Sequence, residues 1–184
     1  ATASFACEIA ESIDYVAEKA NVLAIVARIL VKAEKIEEAK PICDRALKIA
    51  QQISNNREHH RSQSFALIAQ AQAMIGDFDS AIITIQKIRI PSSQAYALKN
   101  LANLQIWQDS QQIEKFKIIL SKAHEFCKNV DNNLFSFLSN KVDVLATIAV
   151  ARSTVGETEA ALATLAELLE DALAQESHKR NNRN

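Results

Sequence analysis

The stretch that decides the fold is Phe65–Ile88, FALIAQAQAMIGDFDSAIITIQKI. Two apolar-rich runs flank the pair Gly76-Asp77. In the first run Phe65, Ile68 and Ala69 lie three and four residues apart, the spacing of one helical face. In the second, Ala81, Ile85 and Ile88 repeat that spacing. A glycine tolerates the left-handed backbone that ends a helix, and an aspartate just after it caps the next. The stretch therefore reads as helix, tight corner, helix.

Composition points the same way. The chain has 184 residues with only two Gly and two Pro, where average usage gives roughly 13 and 9. Hairpin-rich sheets need glycine at positive φ, so an all-β or α/β reading starts badly. Apolar residues make up 48% and charged residues 23%, ordinary values for a soluble globular protein. The expected class is all-α.

The same pattern recurs along the chain, and internal repetition governs the fold when present. A polar residue, a small one, a large apolar anchor and a branched-apolar–Ala pair appear four times. They are Lys19-Ala20…Leu23…Val26-Ala27, Arg61-Ser62…Phe65…Ile68-Ala69, Gln94-Ala95…Leu98…Leu101-Ala102 and Lys141-Val142…Leu145…Ile148-Ala149. A second helix follows each, starting from Ala39, Ala81, Phe116 and Ala161, with apolar residues four and seven positions later. Each unit is an αα-hairpin. Gly156-Glu157 stands where Gly76-Asp77 stands, Lys35 takes the place in the first unit, and the third carries an insertion around Asp109–Gln112.

The expected organisation is one repeat domain over 1–176. Its repeats cover about 15–54, 60–90, 92–130 and 139–175, and a disordered tail covers 177–184. Residues 3–13 match a second helix whose first helix is missing, which points to a piece of a larger protein with Phe5, Ile9 and Ile13 exposed or paired with another copy. Asn55–His60 reads as a polar loop, and Pro91 as the stop of the preceding helix. In the last helix Ala161, Leu165, Leu168 and Leu169 are expected to face inward. Glu159, Glu167, Glu170 and Asp171 are then left on a solvated outer side.

These residues resemble the tetratricopeptide repeat (TPR), whose two helices carry Trp-x-x-Leu-Gly-x-x-Tyr and Ala-x-x-x-Phe motifs. Here they become Phe65-x-x-Ile68-Ala69 and Ala81-x-x-x-Ile85. The tyrosine place holds Leu30, Gln72, Gln105 or Arg152. The resemblance covers about residues 15–175 and rests on spacing. It implies a right-handed superhelix of antiparallel helix-turn-helix repeats, an αα-solenoid, because one hairpin cannot bury its own apolar faces.

It also implies a concave groove lined by the first helices, holding a peptide or protein partner. The matching positions are Asn21, Arg28 and Lys32, then Gln63 and Gln70, then Tyr96, Lys99, Asn103 and Trp107. The fourth unit offers Ala146, Val150, Ser153 and Thr154. Lys99 and Asn103 match half of the carboxylate clamp of some relatives; Thr147 replaces the asparagine of the other half. Trp107, the only tryptophan, reads either as a binding anchor or as packing under the insertion.

Other chemistry has little support. With 22 acidic and 21 basic residues, no cationic excess drives nucleic-acid binding. Cys7, Cys43 and Cys127 fit a reducing cytoplasm better than a disulfide frame or zinc site. No apolar run is long enough for a membrane span. His59 and His60 adjoin Glu58, but adjacent histidines in an extended loop diverge. His124 and Cys127 read as a boundary histidine beside a packed cysteine. No phosphate-binding glycine loop or hydrolase motif occurs. The expectation is a non-catalytic interaction scaffold without cofactor or metal. The alternatives are a self-association module acting through the truncated first repeat and, further off, a regulatory or small-molecule sensor domain.

Overall fold

The computed structural model describes residues 2–102, 104, 110–129 and 135–181. The described residues form nine α-helices and no strand. They are α1 (Thr2–Glu11), α2 (Val16–Lys32), α3 (Ile36–Ala50), α4 (Glu58–Ile75), α5 (Phe78–Gln86), α6 (Pro91–Ala102), α7 (Ser110–Asn129), α8 (Phe135–Thr154) and α9 (Thr158–Asn181). A 3-10 turn, Asn55–Arg57, precedes α4. Where the sequence reads one repeat domain, the chain divides into two compact units, Ala1–Ile106 and Trp107–Asn184.

In the first unit each helix packs on the next, and the first helices of successive hairpins also pack together: α2 on α4, and α4 on α6. The repeated anchors are what they bury. Leu23, Ala27, Phe65, Ile68, Ala69 and Leu101 are each 0% exposed. Alanine beside the branched anchor lets neighbouring backbones approach, and the large anchor fills the remaining space. In the second helices Ala39, Ala46 and Ala81 are equally buried. Cys43 on α3 directs its thiol to the Ile68 carbonyl of α4, at 3.8 Å. Burial, with Asp44 and Asp77 adding to it, pushes that thiol up to about 12.

α4 is the middle helix of this unit. It packs against α2, α3, α5 and α6, and its polar residues Ser62, Ser64, Gln70 and Gln72 are buried with the apolar ones. A helix packed by four others buries even polar groups, and His59, His60 and Gln63 near its N-terminus stay exposed.

The second unit uses the same devices. α8 packs on both α7 and α9, and Phe116, Ile119, Leu120, Leu145 and Ile148 are almost completely buried.

One corner geometry recurs three times. The backbone N–H groups of Lys35, Asp77 and Glu157 donate to the carbonyls of Leu30, Gln72 and Arg152, each at 2.9 Å. The residue between each helix end and its donor has positive φ: Glu34 at 61°, Gly76 at 95° and Gly156 at 81°. At Gly76 the corner is completed by Asp77, whose Oδ1 accepts from the Ser80 N–H at 3.1 Å. Glu34 is the one described non-glycine residue with positive φ, so the first hairpin turns without the residue type that makes the turn easy.

Three sequence expectations change. Pro91 opens α6 rather than ending α5, which stops at Gln86; a helix's first position has no N–H bond to lose. The polar stretch read as a loop through His60 is helical from Glu58. α9 continues to Asn181, past the 176/177 boundary.

The largest change concerns which side of α9 faces inward. Thr164 is 0% exposed, and Glu167 turns in to His124. Leu162, Leu165, Leu169 and Leu173 are 61%, 41%, 60% and 67% exposed. The expected orientation is thus rotated. The cause is a polar cluster: Arg152 on α8, 7% exposed, donates to Thr164 Oγ1 at 2.8 Å and to the Ala160 carbonyl at 3.3 Å. A buried guanidinium must find acceptors, and α9 supplies them only with this side turned in.

Candidate functional site

The positions expected to line a groove fall in the first unit, except Trp107 and the fourth-repeat residues Ala146, Val150, Ser153 and Thr154, which belong to the second. Asn103 and Trp107 lie outside the described residues. The rest of those in the first unit occupy α2, α4 and α6. Equivalent positions form rows across these helices: Asn21, Gln63 and Tyr96, then Arg28 and Gln70.

The first row is tied together between α2 and α4. Asn21 Oδ1 and Ser64 Oγ are 2.7 Å apart, and Ser64 Oγ lies 3.0 Å from the His60 carbonyl. A hydroxyl has one proton and cannot serve both acceptors. Turning the Asn21 amide so that its NH2 donates to Ser64 Oγ frees the hydroxyl for His60, which satisfies both contacts. Asn21 is therefore half-buried and structural. Gln63 is exposed.

Gln70, expected to line the groove, is only 9% exposed, because α4 is enclosed by its neighbours. Lys99 places its ammonium 5.7 Å from the centre of the Tyr96 ring, and that ring is 55% exposed.

α2 carries the clearest feature. Its buried arc holds Ala20, Leu23, Ala24, Ala27 and Leu30. At 100° per residue the opposite arc carries Ile25, Ile29 and Lys32, with Arg28 on its edge. Ile25 and Ile29 are 43% and 59% exposed. Lys32 is exposed. Arg28 is half-buried, and its Nε is enclosed without a hydrogen-bond partner. Sequence reasoning selected the cations of this face and missed the isoleucines. An apolar residue on an amphipathic helix is normally assigned to the core, and nothing local reveals that the neighbouring helix leaves Ile25 and Ile29 uncovered.

Of the two histidines at the start of α4, His60 holds structure. His60 packs edge-to-face on Tyr15, ring centres 5.9 Å apart, and the Arg57 guanidinium lies 5.0 Å from the same Tyr15 ring. Arg61 bonds Asn55 and stacks 5.5 Å from the Phe65 ring, joining the 3-10 turn to the start of α4. Among the described residues no three His, Cys, Asp or Glu side chains converge to hold a metal ion. No described helix is long and apolar enough to cross a membrane.

What the fold and this face define is an all-α protein of packed helical hairpins with an uncovered apolar and cationic strip on its first hairpin. In comparisons with known proteins, no family model and no curated protein matches the chain.

Proposed function

We propose that this chain is a non-catalytic protein-interaction module of divergent tetratricopeptide-like repeats. Its partner surface is the α2, α4 and α6 face of the first unit, and it takes a peptide or helix bearing apolar side chains and carboxylates. The observation that supports this reading is the pairing on α2 of uncovered Ile25 and Ile29 with Arg28 and Lys32. Neither cation has an ion-pair partner among the described residues. Exposed apolar surface beside cations is a composition suited to a recognition face, with Glu18 the one exposed acid on the same arc of α2. On α6 the exposed Tyr96 ring, with the Lys99 ammonium 5.7 Å from its centre, stands at the matching place.

The test is titration of a fluorescently labelled amphipathic peptide of leucine and glutamate into the full chain, followed by anisotropy. Saturable binding is expected, weakened at least about tenfold, or 1.4 kcal/mol, by Arg28→Glu with Lys32→Glu, and weakened by added salt. Equal binding by the variant removes α2 from the partner surface.

A further inference from the structure

We infer that the uncovered leucine face of α9 packs against the α2 face of a second copy of this chain, so that copies join head to tail. This rests on the reading of α2 as a partner surface, and it names the partner.

The argument starts from equivalence among the repeats. Leu165 on α9 corresponds to Cys43 on α3, Ile85 on α5 and Leu120 on α7. Those three are 1%, 1% and 0% exposed, and each lies on a helix that packs against the first helix of the following hairpin: α4, α6 and α8. Cys43 meets the Ile68 carbonyl of α4, and the Ile85 carbonyl accepts from Gln94 Nε2 of α6 at 3.1 Å. Leu165, against which no following hairpin packs among the described residues, is 41% exposed. The position is built to receive the first helix of a hairpin.

α2 is a first helix that itself leaves apolar side chains uncovered. The charges also match. Between Glu157 and Ala174 the chain has no Lys or Arg. Glu159 and Glu170 flank the leucines, exposed and without an ion-pair partner among the described residues. Arg28 and Lys32 flank Ile25 and Ile29. Two α9 faces together would oppose carboxylate to carboxylate, whereas α9 against α2 opposes unlike charges. The stripe from Leu162 to Leu173 is about 18 Å long at 1.5 Å per residue, and α2 has 17 residues, about 25 Å.

Sedimentation equilibrium of the full chain tests this. Its average mass is expected to rise with concentration above the monomer, because a head-to-tail contact builds either an open chain of copies or, where its rotation closes, a ring. Ile25→Ser with Ile29→Ser removes one face, and Leu165→Ser with Leu169→Ser removes the other. All four side chains are exposed, and circular dichroism checks that helicity is kept. Each variant alone should be monomeric, and an equimolar mixture should give a 1:1 complex, since one intact face of each kind remains. Lys32→Glu should weaken association at least about tenfold without touching the apolar contact.

A native chain monomeric to about 1 mM overturns the inference, as does a mixture that stays monomeric. So does self-association of the α2-face variant alone, which would make the contact α9 to α9. Adding the leucine–glutamate peptide to the same samples separates the two readings. A monomeric native chain whose peptide binding is lost in the α2-face variant leaves the partner surface standing and removes only the second copy. Head-to-tail pairing without peptide binding confines the surface to this chain's own α9.

Discussion

His124 Nε2 on α7 lies 2.7 Å from Glu167 Oε2 on α9, joining two helices that both pack on α8. The other ring nitrogen, Nδ1, faces Arg152 Nη1 at 3.5 Å. Arg152 can only donate and an ionised Glu167 can only accept. A proton on Nε2 therefore points at Glu167. Together with Thr164, these side chains fix the rotation of α9 on its hairpin.

Removing the guanidinium should therefore cost more than a surface charge does. Arg152→Ala removes a donor from Thr164 Oγ1, from His124 Nδ1 and from the Ala160 carbonyl, which keeps the Thr164 hydroxyl at 2.8 Å. The expected destabilisation is about 2–4 kcal/mol, read as a shift in urea midpoint of the full chain. Arg152→Lys should recover less than half, because Thr164 Oγ1, the Ala160 carbonyl and His124 Nδ1 all meet the one nitrogen Nη1, which lies at a different place from a lysine ammonium. Full recovery by lysine would mean that only charge matters here.

The corner geometry makes predictions of opposite sign. A Cβ built on Gly76 or Gly156 meets nothing within 4 Å, so Gly→Ala there costs only the backbone strain of positive φ, about 1–2 kcal/mol. Glu34 already carries that strain, and Glu34→Gly should raise stability by up to about 1 kcal/mol. Thermal unfolding of Gly76→Ala and Glu34→Gly measures both. If both substitutions lower the midpoint, φ is not what governs these positions.

These corners also show what the sequence makes legible. Anchors spaced like Phe65, Ile68 and Ala69 could be read because helical period and burial coincide, and two of the three described corners announce themselves by glycine. Glu34 does not, since its left-handed backbone is imposed by the packing of α2 and α3. The inner side of α9 was unreadable for a related reason. Leu165 and Leu169 look like core by period, but partners 28 and 43 residues away, Arg152 to His124 and His124 to Glu167, decide the rotation. On the candidate face, Arg28 and Lys32 were accessible to reasoning by repeat position. The burial of Gln70 and the exposure of Ile25 and Ile29 depend on which neighbours each helix has, and period alone does not encode that.

The link from Ser64 to Asn21 should be worth about 1 kcal/mol, because both groups have polar alternatives nearby. Ser64→Ala removes the hydroxyl that bridges α2 and the His60 carbonyl. A modest loss in urea stability is expected, with weaker hydrogen-exchange protection of amides at the α2–α4 contact. Asn21→Asp tests the amide orientation. If the amide NH2 donates to Ser64, a carboxylate forces the hydroxyl proton away from His60 and stability falls by a similar amount. If the amide oxygen accepts, Asp is tolerated.

Cys43 gives a test with a defined pH window. Its thiol is pushed from 9.0 up to about 12, chiefly by burial and further by Asp44 and Asp77. The thiolate is the nucleophile, so at pH 8 native Cys43 should resist iodoacetamide while the half-buried Cys7 reacts. Denaturant should expose Cys43 to the reagent. The linkage has a fixed sign: a pKa raised by folding means that the native state holds its proton where the unfolded chain has lost it. This contribution to stability is whole below pH 9 and is lost as pH rises toward 12. Urea midpoints of the native chain should therefore fall between pH 9 and 11. In Cys43→Ala, which leaves a small cavity but no titrating group, the fall should be shallower; an identical slope in the two proteins would assign the alkaline loss to other groups.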